Sequence, residues 1–168
     1  MTLSRTAMPG LRIAAIAVFA LAAGASHGQG RFTISADGHE VTDTTARLIW
    51  RRCAEGMRWD GKACSGKPVK YSYAGAKEKA ARSAKDDGKA WRIPAREELV
   101  ALVDMAQKKK PRLDAQAFPQ TPSSSFWAGR AGSDDNLNAW LVNFSNGKVR
   151  GNLGQAKFPL RLVRASNA

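Results

Sequence analysis

The chain has 168 residues and a mass of 18.1 kDa; 43% of it is hydrophobic and 24% charged, with 15 glycines and 7 prolines. That excludes a collagen-like or disordered polymer and leaves room for one domain of ordinary size. Lys and Arg number 27 against 14 Asp and Glu, a formal charge of +13 with a pI of about 10.4, which favours polyanionic partners and does not bear on the fold.

Arg5 and Arg12 lie ahead of an apolar run from Ile13 to Ala25, followed by the small-residue stretch Ala25-Ser26-His27-Gly28. A basic head, a short apolar middle and a small-residue exit are the parts of a secretory signal peptide. The run falls short of the roughly 20 residues a membrane span requires; a retained N-terminal anchor is the alternative. Cleavage is expected after Ala25 or Gly28, so that 1–28 is the signal and 29–168 the mature domain. Loss of residues 1–28 removes two arginines and no acid, lowering the formal charge from +13 to +11. No second apolar run of that length follows, so no transmembrane span is expected in the mature chain. The location that follows is periplasmic or secreted.

Arg31 to Trp50 reads as strand, turn, strand, with Asp37-Gly38 as a hairpin turn signal and Asp43-Thr44-Thr45 as a second bend. Cys53 and Cys64, the only cysteines, stand eleven positions apart. In an oxidising compartment that pair reads as one disulfide, worth roughly 2–3 kcal/mol by loop-closure entropy. Zinc is disfavoured, because only His27 and His39 could join the two thiolates and His27 leaves with the signal. Residues 72–87 read as a first helix, with Ser72 as N-cap, Gly88 at the C′ position and an apolar stripe of Tyr73, Ala76, Ala80 and Ala84. Residues 95–107 read as a second, striped by Leu99, Leu102, Val103 and Ala106. Ala95 stands where a capping hydroxyl is expected, although Glu98 supplies the other half of a capping box. Residues 108–125 read as a loop. Short strands follow at 125–127, 139–144, 148–151 and 160–164, with Asn146-Gly147 as a hairpin signal. The order of elements is α+β rather than alternating βαβ.

Four stretches together resemble the Lcl C-terminal domain family, named after a collagen-like bacterial adhesin. They are Arg31-Phe32-Thr33 with Val41-Thr42-Asp43 and Leu48-Ile49-Trp50; Trp91-Arg92-Ile93-Pro94 with Glu98-Leu99; Phe118-Pro119 with Thr121-Pro122 and Ser125-Phe126-Trp127; and Ala139-Trp140, Val142, Phe144-Ser145, Gly147 and Val149 with Arg161-Leu162-Val163-Arg164. The resemblance covers roughly 31–164. It implies a C-type-lectin-like fold in which two helices flank a small, mainly antiparallel sheet and the N- and C-terminal strands pair. The adhesin that names the family binds sulfated glycosaminoglycans and is trimeric behind a collagen stalk. This chain has no Gly-X-Y region. Ala128-Gly129-Arg130 stands where the family runs on in serines, and Lys157-Phe158-Pro159-Leu160 replaces a Tyr-rich stretch.

Enzymatic readings fare poorly. Ser-His-Asp or Cys-His chemistry needs a histidine base, and His39, the one left in the mature chain, sits in a turn. Asp134-Asp135 and Glu97-Glu98 are sequence-adjacent carboxylates, which do not by themselves flank a glycosidic bond. Ser133-Asp134-Asp135-Asn136 with Asn138 is an oxygen cluster without metal-loop spacing. No catalytic residue, cofactor or metal is therefore expected. Trp59 lies in the disulfide loop between Arg58 and Asp60, where sugar stacking competes with simple packing. The densest basic run is Lys108, Lys109, Lys110 and Arg112, kept off the preceding helix by Pro111 and extended by helix-one lysines and by Arg130, Lys148 and Arg150. Clustered cations suit sulfate, phosphate or carboxylate groups. The expectation is a non-enzymatic domain for an anionic polysaccharide or envelope polymer. The alternative is a structural or protein-interaction module that docks on another envelope protein. Nucleic acid is not expected, since no stacking motif accompanies the charge.

If Cys53 and Cys64 are bonded, intact-mass analysis with an alkylating agent finds one modifiable pair only after reduction. Two thiols in the untreated protein would contradict it.

Overall fold

A computed structural model describes residues 30–129, 139–151 and 156–166. Its largest sheet is built from β1 (Phe32–Ile34), β2 (Glu40–Asp43), β3 (Leu48–Arg51) and β11 (Val163–Ala165), all antiparallel neighbours in that order. β4 (Arg58–Trp59) pairs with β5 (Cys64–Ser65), and β6 (Lys70–Tyr71) with β10 (Phe158–Pro159). A fourth sheet joins β7 (Ser125–Ala128), β8 (Trp140–Asn143) and β9 (Val149–Gly151). The helices are α1 (Tyr73–Asp87) and α2 (Arg96–Val100).

This corrects the expected architecture. Among the described residues the chain is mostly short strands in several small sheets, not a C-type-lectin-like α+β fold with two helices flanking one sheet. α2 is five residues long, little more than a turn, and too short to cover a sheet face. The first and last strands share a sheet but do not pair: β11 lies on β3, and β1 on β2 at the opposite edge.

The local signals explain what formed. Gly38 and Gly147 adopt φ of 74° and 72°, the left-handed turn conformations that the Asp-Gly and Asn-Gly pairs imply. Ser72 Oγ accepts the N–H of Gly75 at 3.2 Å, and Gly88 closes α1 with φ of 63°. The buried stripe is Tyr73, Ala76, Ala80 and Ser83, with Ala84 at its margin. At α2, Ala95 is the N-cap and offers no side-chain bond, while Glu98 Oε2 accepts the Ala95 N–H at 2.7 Å. The second helix ends at Val100, not at 107, although Leu99 and Leu102 are buried as their spacing requires. Arg112 is the reason: its Nη1 donates to the carbonyls of Met105 and Gln107, each at 2.9 Å, and its backbone carbonyl accepts the Asp104 N–H. Those carbonyls are drawn out of any helical ladder.

Alternation divides the interior in two. Along β7, Phe126 and Ala128 join one apolar cluster and Trp127 the other; along β8, Val142 joins the first and Leu141 the second. Successive side chains of a strand point to opposite faces, so the β7–β8 pair is covered on both. The first cluster centres on Trp50, Phe118, Phe126 and Phe144, and the second on Trp91, Trp127, Leu160 and Leu162 beneath α1.

Between β10 and β11 lies Arg161, which is fully buried. Its Nη1 donates to the carbonyls of Arg51, at 2.7 Å, and Arg52, its Nη2 donates to Thr121 Oγ1 at 2.6 Å, and its guanidinium lies over the Phe118 ring. Burial disfavours the charged form and pulls its pKa down, to about 9, while the charge of Glu55 acts the other way. The group is still a cation at neutral pH. Asp43, equally buried, accepts Arg31 Nη2 at 2.6 Å on one oxygen and the N–H groups of Thr45 and Ala46 on the other.

Arg161 and a second ion, Glu40, carry expectations for stability. Arg161→Ala removes apolar contact and takes a buried donor from two carbonyls and from Thr121 Oγ1, which keeps only its bond to the Phe118 carbonyl; it should cost about 3–5 kcal/mol, read from urea denaturation. An unchanged midpoint would show that the guanidinium is dispensable. Glu40, on β2, accepts Lys89 at 2.5 Å and Arg164 at 2.7 Å. Burial pushes its carboxyl up from the ordinary 4.5, but these bonds outweigh it and hold the group below that value. A depressed carboxylate adds stability that is complete above the unfolded pKa and lost as pH falls through the folded one. Glu40→Gln should therefore cost about 1 kcal/mol at neutral pH and almost nothing near pH 2, by denaturation at both. An equal deficit at both values would contradict the ionic role.

Candidate functional site

Lys108, Lys109 and Lys110 are exposed, and Arg112 is half-buried. Besides the carbonyls of Met105 and Gln107, Arg112 Nε donates to the carbonyl of Ser145 at 3.2 Å, and its N–H donates to the carbonyl of Phe144 at 2.7 Å. Arg112 thus ties the basic loop to the β8–β9 turn, leaving the three lysines as its outward charges. Gly147 of that turn sits against Met105 and Val103, so a Cβ there would stand 3.1 Å from the Met105 sulfur. Lys148 and Arg150, both exposed, continue from the same turn onto β9. Arg112 and Gly147 therefore join the backbone segments from which the lysine run and Lys148 continue. None of the ion pairs among the described residues involves these cations. Arg130 and the Ser133–Asn138 oxygen cluster lie outside the described residues, as do residues 1–29.

Of the helix-one cations, Lys79 lines a separate cleft. It pairs with the buried Glu55 at 3.2 Å, at the edge of this cleft, which measures about 690 Å³ and is lined by His39, Arg51, Glu55, Arg58, Trp59 and Lys79, among others. Four parts of the chain meet there: the β1–β2 turn, the end of β3, the disulfide loop and α1. Cys53 and Cys64 are bonded, with Sγ atoms 2.03 Å apart. The loop they close is turned by Asp60, whose Oδ1 accepts the N–H groups of Ala63 and Lys62; those bonds hold its carboxyl below the ordinary range. Gly61 beside it takes φ of 97°. Trp59 is half-buried. The Arg52 guanidinium lies 3.8 Å from its ring centroid, and Gly38 lies so close that a Cβ there would stand 2.3 Å from Trp59 Nε1. Arg52 is itself fixed by the carbonyls of Gln116 at 3.0 Å and of Gly38 and Ala117, each at 3.3 Å.

A second, shallower depression of about 410 Å³ is apolar at Val100, Ala101 and Val149. Glu97 pairs with Arg96, and Glu98 with Arg92, so this carboxylate pair is engaged in local ion pairs. Among the described residues no group of three His, Cys, Asp or Glu side chains could hold a metal ion. No helix among them is long and apolar enough to cross a membrane.

Sequence reasoning placed the lysine run and the disulfide but not the cleft, and it gave no role to Arg52 or Arg161. Arg161, set between two leucines, reads as solvent-facing by alternation. Arg52 carried a signal, since it follows β3 in the inward register of Leu48 and Trp50.

No curated protein and no solved structure matches the chain. The profile of the Lcl C-terminal domain matches residues 39–164, three-quarters of the sequence and all the residues that carry the resemblance except Arg31-Phe32-Thr33. The chain belongs to the Lcl C-terminal domain family.

Proposed function

We propose that this protein is exported, with residues 1–28 as its signal and 29–168 as one domain, and that it is a non-enzymatic binder of anionic glycan or another envelope polyanion. The observation that carries the reading is the loop of Lys108, Lys109 and Lys110: three exposed cations without ion-pair partners among the described residues, on a backbone clamped by Arg112. Side chains on a fixed loop lose less freedom on binding than the same charges on a free tail. The association of the family with an adhesin supports the same direction. Neither the loop nor the cleft assembles a nucleophile beside a base, which favours binding over catalysis. The alternative, a module that docks on another envelope protein, draws on exposed Met105 at 59% and Val149 at 39%.

Any protein of this charge binds polyanions at low salt, since exposed ion pairs are screened over about 8–10 Å near physiological ionic strength. The informative comparison therefore uses two variants that lose four charges each. One replaces Lys108, Lys109, Lys110 and Lys148 with Gln. The other replaces Lys67, Lys70, Arg82 and Lys85, which are exposed and lie away from the loop. Arg112 stays in both, because its loss would undo the loop. Calorimetry with a sulfated polysaccharide at physiological salt should show the first variant weakened by about 1–3 kcal/mol more than the second. Equal losses would reduce the loop to nonspecific attraction and put the docking module ahead.

A further inference from the structure

The disulfide-loop cleft is a different kind of place from the lysine loop. It is concave, and its volume of about 690 Å³ lies in the range of small-molecule sites. Its walls carry Arg51, Arg58 and Lys79 against one acid, Glu55. Arg51 is paired with Asp87 and Lys79 with Glu55, while Arg58 is exposed and enters no ion pair among the described residues. The cleft also has an aromatic surface held in place. One face of Trp59 is covered by Arg52, the indole edge rests on Gly38, and the disulfide closes the loop that carries it. Trp59 nonetheless keeps part of its surface open to the cleft.

We infer that this cleft binds an acidic saccharide of one or two rings, stacked on Trp59, with its acid group at Arg58 and its hydroxyls reaching the Lys79–Glu55 pair. The chemistry selects this class. An indole offers a flat apolar surface that suits the C–H face of a sugar ring, and fixing it beforehand avoids the cost of ordering a large side chain on binding. A guanidinium at the rim with no ion-pair partner among the described residues suits a carboxylate or sulfate, which it can engage through two N–H donors. The Glu55 carboxylate accepts hydroxyl hydrogens and the Lys79 ammonium donates to hydroxyl oxygens. A neutral sugar would leave Arg58 without a partner. A simple inorganic anion would leave the indole unused. The inference rests on the glycan reading above and adds to it a site for the sugar ring itself, distinct from the lysines that would attract the polymer.

The test is calorimetry of the purified protein with digalacturonate and with neutral cellobiose, alongside the sulfated polysaccharide. Digalacturonate should bind at least about tenfold more tightly than cellobiose. Trp59→Ala should weaken it by about tenfold or more, and Trp59→Phe, which keeps a ring over Arg52, by about threefold or less. Arg58→Gln should abolish most of the preference for the acidic sugar. The Lys108, Lys109, Lys110 triple Gln variant should change disaccharide affinity less than about twofold while lowering polymer affinity. Melting temperature and a closed disulfide establish that each variant is folded; if Trp59→Ala is not, Trp59→Phe and Arg58→Gln decide. Full retention of disaccharide affinity in folded Trp59→Ala, or of acid preference in Arg58→Gln, overturns the cleft. Polymer binding at the lysine loop without disaccharide binding also overturns it and leaves the glycan reading standing. Failure of both ligands removes both.

Discussion

Arg161 and Arg52 are two guanidinium groups that hold together parts of the chain with little else in common. Arg161 reaches from the segment before β11 to the end of β3 and to Thr121. Arg52, whose carbonyl accepts one of those bonds, reaches from β3 to the β1–β2 turn and to residues 116–117. Sheets of two to four residues per strand cannot supply such long-range order through ladders alone, because an isolated short pairing is marginal in water. A buried arginine can supply it, because its donors form a rigid fork and carbonyls that no strand partner satisfies need donors. The cost is desolvation of a whole cation, visible in the depressed pKa of Arg161. Breaking such a network from one side leaves the remaining polar groups stranded, so it stabilises the fold less by its net energy than by the penalty for its loss.

The same network positions the candidate chemistry. Arg52 forms the inner support of Trp59, and β3 carries both Arg51, at the cleft wall, and the backbone that Arg161 grips. Elsewhere in the molecule Arg112 repeats the device at the surface, turning the carbonyls of Met105, Gln107 and Ser145 toward one side chain and fixing the lysine loop. In three places, then, an arginine that counts toward the net positive charge is structural. The charge available for a partner is smaller than the formula suggests, and more localised.

Much of the local structure was legible in the sequence. Asp37-Gly38 and Asn146-Gly147 marked the two hairpins, and Ser72 with Gly88 bounded α1 within a residue, because turn and cap signals act over a few residues. The second helix was overextended. The spacing of Leu99 and Leu102 is satisfied by one turn, and its continuation depended on what Arg112 does eight residues after Asp104. The C-type-lectin-like arrangement came from resemblance alone and fails on the strand pairings, which are long-range. β4–β5 and β6–β10, two residues per strand, carry no period that a sequence could display. The lysine loop was visible as composition. The cleft was not, since His39, Arg51, Trp59 and Lys79 meet only once the chain has folded.

The two fixed places proposed for recognition are thus the lysine loop and the disulfide-loop cleft. An amide and indole NMR titration with an acidic oligosaccharide at physiological salt tests this most directly. Perturbed signals should gather at Lys108–Lys110, at Lys148, and at the Trp59 indole N–H with its neighbours in the disulfide loop, while those of Arg82 and Lys85 on α1 stay still. Shifts spread evenly over the exposed lysines and arginines, with the Trp59 indole unmoved, would contradict it.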